Sequence, residues 1–149
     1  MFPHRQRARK ADNRSVMIMV LQNNAHRTNA VNVTAGGDML VSFRKTSTVG
    51  IVDRASGAFR WKWGPGVISH QHYPVMLDNG NVLLFDNGSH GYGLGVTYSR
   101  VIEVDPATND IAWDYRGDPP FAFYSPVISG AERLPNGNTL ICEGSAGRL

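Results

Sequence analysis

The sequence predicts an all-β chain built from repeated antiparallel units, and three observations carry that prediction. A hairpin signal occurs twice in the same order, as Leu77-Asp78-Asn79-Gly80-Asn81-Val82-Leu83-Leu84 and Leu134-Pro135-Asn136-Gly137-Asn138-Thr139-Leu140-Ile141. Asn-Gly between two apolar runs marks a tight turn, and a two-residue type I′ turn would need positive φ at both residues. Val52-Asp53 with Gly57 and Trp61 returns 52 positions later as Val104-Asp105-Pro106 with Asn109 and Trp113. Sixteen glycines and eight prolines fall mostly at turn positions, which favours short strands over helices. Repeats of roughly 40–50 residues, each with four short strands and an aromatic landmark, are the pattern of β-propeller blades.

Taken in order, residues 1–14 are basic and aperiodic, and Ser15 to Gln22 reads as a buried strand. His26 to Val33 is a β-branched run with a histidine at its mouth. Gly36-Gly37-Asp38 is a turn, a weaker copy of the hairpin 43 positions before Gly80. Met39 to Arg44 and Val49 to Val52 read as strands, joined through the Asp53 to Gly57 turn to Phe59-Arg60-Trp61-Lys62-Trp63. That last run alternates strictly, as a half-buried strand does. Val75 to Leu77 approaches the second hairpin, and Val82 to Phe85 is the strand after it. The three tryptophans read as blade core. The third copy reaches Leu149 before an Asp-turn or Trp strand appears, so the chain is expected to hold about two and a half blades of a longer propeller. The expected division is a basic N-terminal segment, 1–25, and a partial propeller domain, 26–149.

Composition narrows the function classes. A 149-residue chain with 42% hydrophobic and 18% charged residues has the make-up of a globular domain. Its net charge of +3 is concentrated in His4 to Lys10. Without aromatic or Gly-rich companions, that run reads as a solvated tail and predicts no nucleic-acid partner. No apolar run reaches the ~18 residues that cross a bilayer, so no membrane partner is expected. The single cysteine, Cys142, excludes an internal disulfide and reads as a small core residue.

The chemistry concentrates at Ser69-His70-Gln71-His72-Tyr73. On a regular strand His70 and His72 would share one face, an arrangement zinc uses, yet no carboxylate or cysteine cluster lies nearby in sequence. No metal or other cofactor is therefore expected. Arg44 alone could cap a strand or pair with Asp53. Asp86-Asn87-Gly88 reads as a turn, Arg100 as structure between blades, and Tyr73, Phe123 and Tyr124 as packing or an aromatic wall.

His70-Gln71-His72, the run Leu77 to Gly88, Ser99-Arg100-Val101 through Pro106, Trp113-Asp114-Tyr115 and the run Ser129 to Ile141 together resemble the bacterial arylsulfotransferases. The resemblance covers about His26 to Arg148. It implies a six-bladed propeller that transfers a sulfuryl group from an aryl sulfate ester to a phenolic acceptor without PAPS, through a sulfohistidine. Carried over position by position, it implies His72 as the sulfuryl acceptor, with Arg44 and His26 as catalytic partners. Asn29, His70 and Tyr124 are the expected substrate-binding residues. Asn29 stands in His26-Arg27-Thr28-Asn29, one residue longer than the family's His-x-Asn. Family members are commonly exported to the periplasm, and a homo-oligomer is left open. The competing class is a non-enzymatic propeller that binds a ligand or protein on one face.

Overall fold

The structure is a computed structural model that describes residues 28–89 and 97–149. The expected strand at Ser15 to Gln22, the basic segment 1–25 and His26 lie outside the described residues.

Among the described residues all regular structure is antiparallel strand, apart from two single 3-10 turns at Arg44–Thr46 and Pro120–Ala122. Strands β1 (Thr28–Val33), β2 (Met39–Phe43), β3 (Thr48–Val52) and β4 (Phe59–Trp63) form one four-stranded sheet in chain order. Strands β5 (His72–Met76), β6 (Val82–Asp86), β7 (Arg100–Val104) and β8 (Ile111–Tyr115) form a second in the same order. Strands β9 (Gly130–Arg133) and β10 (Thr139–Cys142) make a two-stranded sheet. The sheets meet through their first strands: β5 packs against β1 and β2 on one side and against β9 on the other.

β6 explains its own sequence. Val82 and Leu84 face the first sheet, in a cluster with Leu40, Val49, Ile68, Ile102 and Val104. Leu83 and Phe85 face the third sheet, with Val101, Phe123 and Ala131. A strand covered on both sides has no polar face, so it reads as an unbroken apolar run rather than an alternation. Each of the four side chains is wholly buried, a gross stabilisation of about 1.5–3 kcal/mol apiece. β4, at the outer edge of the first sheet, keeps the alternation.

The hairpins joining β1 to β2, β5 to β6 and β9 to β10 share one geometry, which differs from the expected two-residue turn. In the second, Leu77 N–H donates to Asn81 O at 2.8 Å and Gly80 N–H to Leu77 O at 2.9 Å, closing a three-residue loop. Only Gly80, at φ +87°, takes positive φ, while Asn79 does not. Asn79 acts through its side chain: Oδ1 accepts from Asn81 N–H at 3.0 Å, as Asn136 Oδ1 does from Asn138 N–H. A turn followed by one left-handed glycine gives the flanking strands the twist they need.

Two further expectations change. Trp61 and Trp63 do pack against the core between the first two sheets, their Nε1–H groups reaching Asn109 Oδ1 and O at 2.9 and 3.2 Å. Trp113, on the outer strand β8, is 36% exposed with the Arg133 guanidinium 5.1 Å from its ring. Cys142 is exposed rather than core, because it lies on a face of β10 that no described residue covers.

Candidate active site

β5 begins on His72, paired across the sheet with Phe85, and its register slips between His72 and Val75. Two residues around it take positive φ, His70 at 58° and Tyr73 at 51°. These bends break the regular strand that would have set His70 and His72 on one face. Instead the His70 carbonyl turns back onto the His72 ring. Nδ1 of His72 lies 3.0 Å from His70 O and 2.7 Å from Asn87 Oδ1.

A carbonyl oxygen only accepts, so Nδ1 carries the proton. The Asn87 amide agrees, because its Nδ2 donates to Ser125 O at 2.7 Å and Ile128 O at 2.9 Å, which leaves Oδ1 facing the imidazole. A neutral imidazole so held has its lone pair on Nε2. Among the described residues no hydrogen-bond partner holds that atom.

Gln71, wholly buried, fastens this segment to the first sheet. Its Nε2 donates to Ser42 Oγ at 2.9 Å, Phe43 O at 3.3 Å and Thr48 O at 2.9 Å. Those acceptors flank Arg44, which begins the 3-10 turn after β2. Asn29 of β1 donates from Nδ2 to Gln71 O at 2.7 Å. Asn29 thus bonds the Gln71 backbone, Gln71 bonds the carbonyl of the residue before Arg44, and His70 and His72 flank Gln71 in sequence.

Register makes the clustering systematic. Asn29, His72 and Ser129 each stand four residues before the hairpin-closing ends of β1, β5 and β9, namely Val33, Met76 and Arg133. Arg44, Asn87 and Gly144 each stand five residues after the first residue of β2, β6 and β10. The sheets thus present equivalent positions at the end opposite the hairpins.

A buried ion pair holds the chain as it enters the site. Arg100 Nε lies 2.9 Å from Asp86 Oδ2, and its Nη2 donates to Val67 O at 2.6 Å. Asp86 Oδ1 accepts from Ser69 N–H at 2.8 Å. Arg100 is structural, as its sequence setting suggested. Asp53 pairs with Arg60 and not with Arg44, and that contact holds the Asp53 carboxyl well below the usual carboxylate range. Among the described residues no ion pair engages Arg44.

The remaining candidates lie elsewhere. Phe123 is core, packed edge-on to Phe85 at 5.5 Å and Tyr115 at 5.4 Å. Tyr73 covers Gly130, where an added Cβ would sit 3.1 Å from its ring. Tyr124 is placed beside the third sheet, its N–H donating to Glu143 Oε1 at 3.2 Å, and its ring is not brought to His72 by this contact. No group of three His, Cys, Asp or Glu side chains able to hold a metal occurs among the described residues. Two clefts of about 670 Å³ open between neighbouring sheets toward the hairpin end, and His72 lines neither.

Two residues of the site escaped the sequence reading. Asn87 lay within Asp-Asn-Gly, a turn signal, and Gln71 was only the spacer between two histidines. For Gln71 the available signal was an uncharged amide with no strand face of its own; for Asn87 there was none.

The model of a family described as Arylsulfotransferase (ASST) matches residues 66–149. No curated protein matches. Among solved structures, the crystal structure of a protein of unknown function from Bacteroides caccae, at 1.35 Å resolution, is similar with a TM-score of 0.58 and 18% identity. The match covers 78% of this chain and 38% of that one, so the chain spans well under half the length of this structural relative.

Proposed function

This chain belongs to the arylsulfotransferase family, and we propose on that footing that the protein moves a sulfuryl group from an aryl sulfate ester to a phenolic acceptor, with His72 carrying it in between. The observation that supports this most is the His72 ring, held at Nδ1 and, among the described residues, without a hydrogen-bond partner at Nε2. Two four-stranded sheets and a third pair, meeting through their first strands, suit blades of a six-bladed propeller with the site beside its central channel.

In the first half-reaction the Nε2 lone pair attacks sulfur, the S–O(aryl) bond breaks, and its electron pair leaves on the phenolate. In the second, the acceptor phenol gives its proton back to the acid that protonated the first phenolate. Its oxygen attacks the same sulfur, and the Nε2–S bond breaks with its electron pair returning to Nε2. Like phosphoryl transfer, this passes through a loose arrangement with charge spread over three oxygens, so positioning and electrostatics carry the catalysis. Arg44, with its planar fork of donors, suits those oxygens. His26 would donate to them or protonate the departing phenolate, and Asn29 and His70 would line the donor. We extend the proposal to export from the cytoplasm, as is common in the family.

The test is turnover of p-nitrophenyl sulfate by the full-length protein with phenol as acceptor. Acceptor-dependent nitrophenolate release, a sulfo group on the His72 peptide, and loss of both in His72→Gln are expected. A folded protein with no release across several acceptors would leave a binding propeller instead.

A further inference from the structure

We propose that Asn87 is a positioning residue for the transfer, one that holds the proton on His72 Nδ1 and so keeps Nε2 available to sulfur. The inference rests on His72 being the sulfuryl acceptor. Asn87 is wholly buried, and every polar atom of its amide is used: Oδ1 faces His72 Nδ1 at 2.7 Å, and Nδ2 donates to Ser125 O and Ile128 O at 2.7 and 2.9 Å. The two carbonyls, both in the segment that leads into β9, fix the amide against rotation, since flipping it would set oxygen against oxygen. Its orientation then dictates the tautomer of the ring, with the His70 carbonyl as a second acceptor at 3.0 Å.

The contact also changes strength through the reaction. Bonding of Nε2 to sulfur makes the ring cationic, and the Nδ1–H then donates more strongly to Asn87 Oδ1 and His70 O. When the acceptor oxygen takes the sulfuryl group, the electron pair of the Nε2–S bond returns to Nε2 and the ring is neutral again. The Nδ1 proton never leaves. A hydrogen bond stronger in the charged state than in the resting one favours the step that forms it.

Nitrogen-15 spectra of the histidine-labelled full-length protein, with the His72 signals identified by their loss in His72→Gln, test this without any turnover. The unsubstituted protein is expected to show Nδ1 protonated and Nε2 bare. Asn87→Ala is expected to gain the Nε2–H tautomer and to lose at least about tenfold in kcat with KM little changed. An Nε2–H tautomer in the unsubstituted protein overturns the proposal, as does a folded Asn87→Ala with the original tautomer and kcat. The first arm stands even if Asn87→Ala does not fold. Absent transfer in the unsubstituted protein would instead count against the family reaction, which the resting spectrum does not depend on.

Discussion

Gln71 carries more of the site than its neutral amide suggests. Its Nε2 meets one hydroxyl and two backbone carbonyls of the first sheet, the Ser42 and Phe43 contacts buried and the Thr48 contact partly so. Gln71→Glu keeps the size but turns a donor into an acceptor facing those carbonyls. It is expected to lower stability by at least about 2 kcal/mol, because a buried group left unsatisfied costs its full desolvation. Urea unfolding of the full-length protein would measure this. Turnover should fall further than the loss of folded protein explains, since Gln71 separates His70 from His72. Unchanged turnover per folded molecule would mean the His72 ring is placed by Asn87 and the β5 bulge alone.

At the scale of the element, each of the hairpins joining β1 to β2, β5 to β6 and β9 to β10 depends on one glycine and one side-chain cap. Gly80→Ala meets no steric clash, yet it forces an L-residue to φ +87°, and should cost about 1 kcal/mol. Gly50→Ala, within β3, should cost more, about 1–3 kcal/mol, because the new Cβ would lie 2.7 Å from the Phe59 ring and 2.9 Å from Trp61 O. Leu84→Ala in β6 should cost about 2–5 kcal/mol. Thermal or urea unfolding should rank the three with Gly80→Ala mildest. The strand content of this chain was legible because these signals are local. The three-residue hairpin was not, because Asn-Gly suits either turn and the closing pair selects between them.

Across the whole molecule, sheets are tied by polar contacts as well as by core. Glu103 of β7 accepts from Asn79 Nδ2 at 3.0 Å and Asn81 Nδ2 at 2.7 Å in the second hairpin, and pairs with Arg133 of the third sheet at 2.9 Å. Burial alone would push its carboxyl up, but the two amides and Arg133 outweigh that and hold it below the ordinary 4.5. A carboxyl lowered in the folded state adds stability above its unfolded value, and that stability fades as pH falls through the folded one. Glu103→Gln should therefore destabilise by about 1 kcal/mol near pH 7, with the difference shrinking as pH drops below about 4.5. A constant difference from pH 7 to pH 3 would assign the effect to hydrogen bonding alone.

By itself the sequence determined the all-β class, the strand positions and the residues that resemble a sulfuryl-transfer site, since apolar period, turn chemistry and motif spacing are properties of neighbouring residues. It named His72 and His70, which flank Gln71 in sequence, Asn29, which bonds the Gln71 carbonyl, and Arg44, the residue after a carbonyl that Gln71 bonds. It missed that His70 and His72 do not share a strand face, because His70 and Tyr73 take positive φ and the register of β5 slips after His72. Only the tertiary structure decided which nitrogen of His72 bears the proton. That choice belongs to Asn87, fifteen residues away in sequence, held in turn by the Ser125 and Ile128 carbonyls of the segment before β9. Hydrogen bonds across such separations leave no period to read.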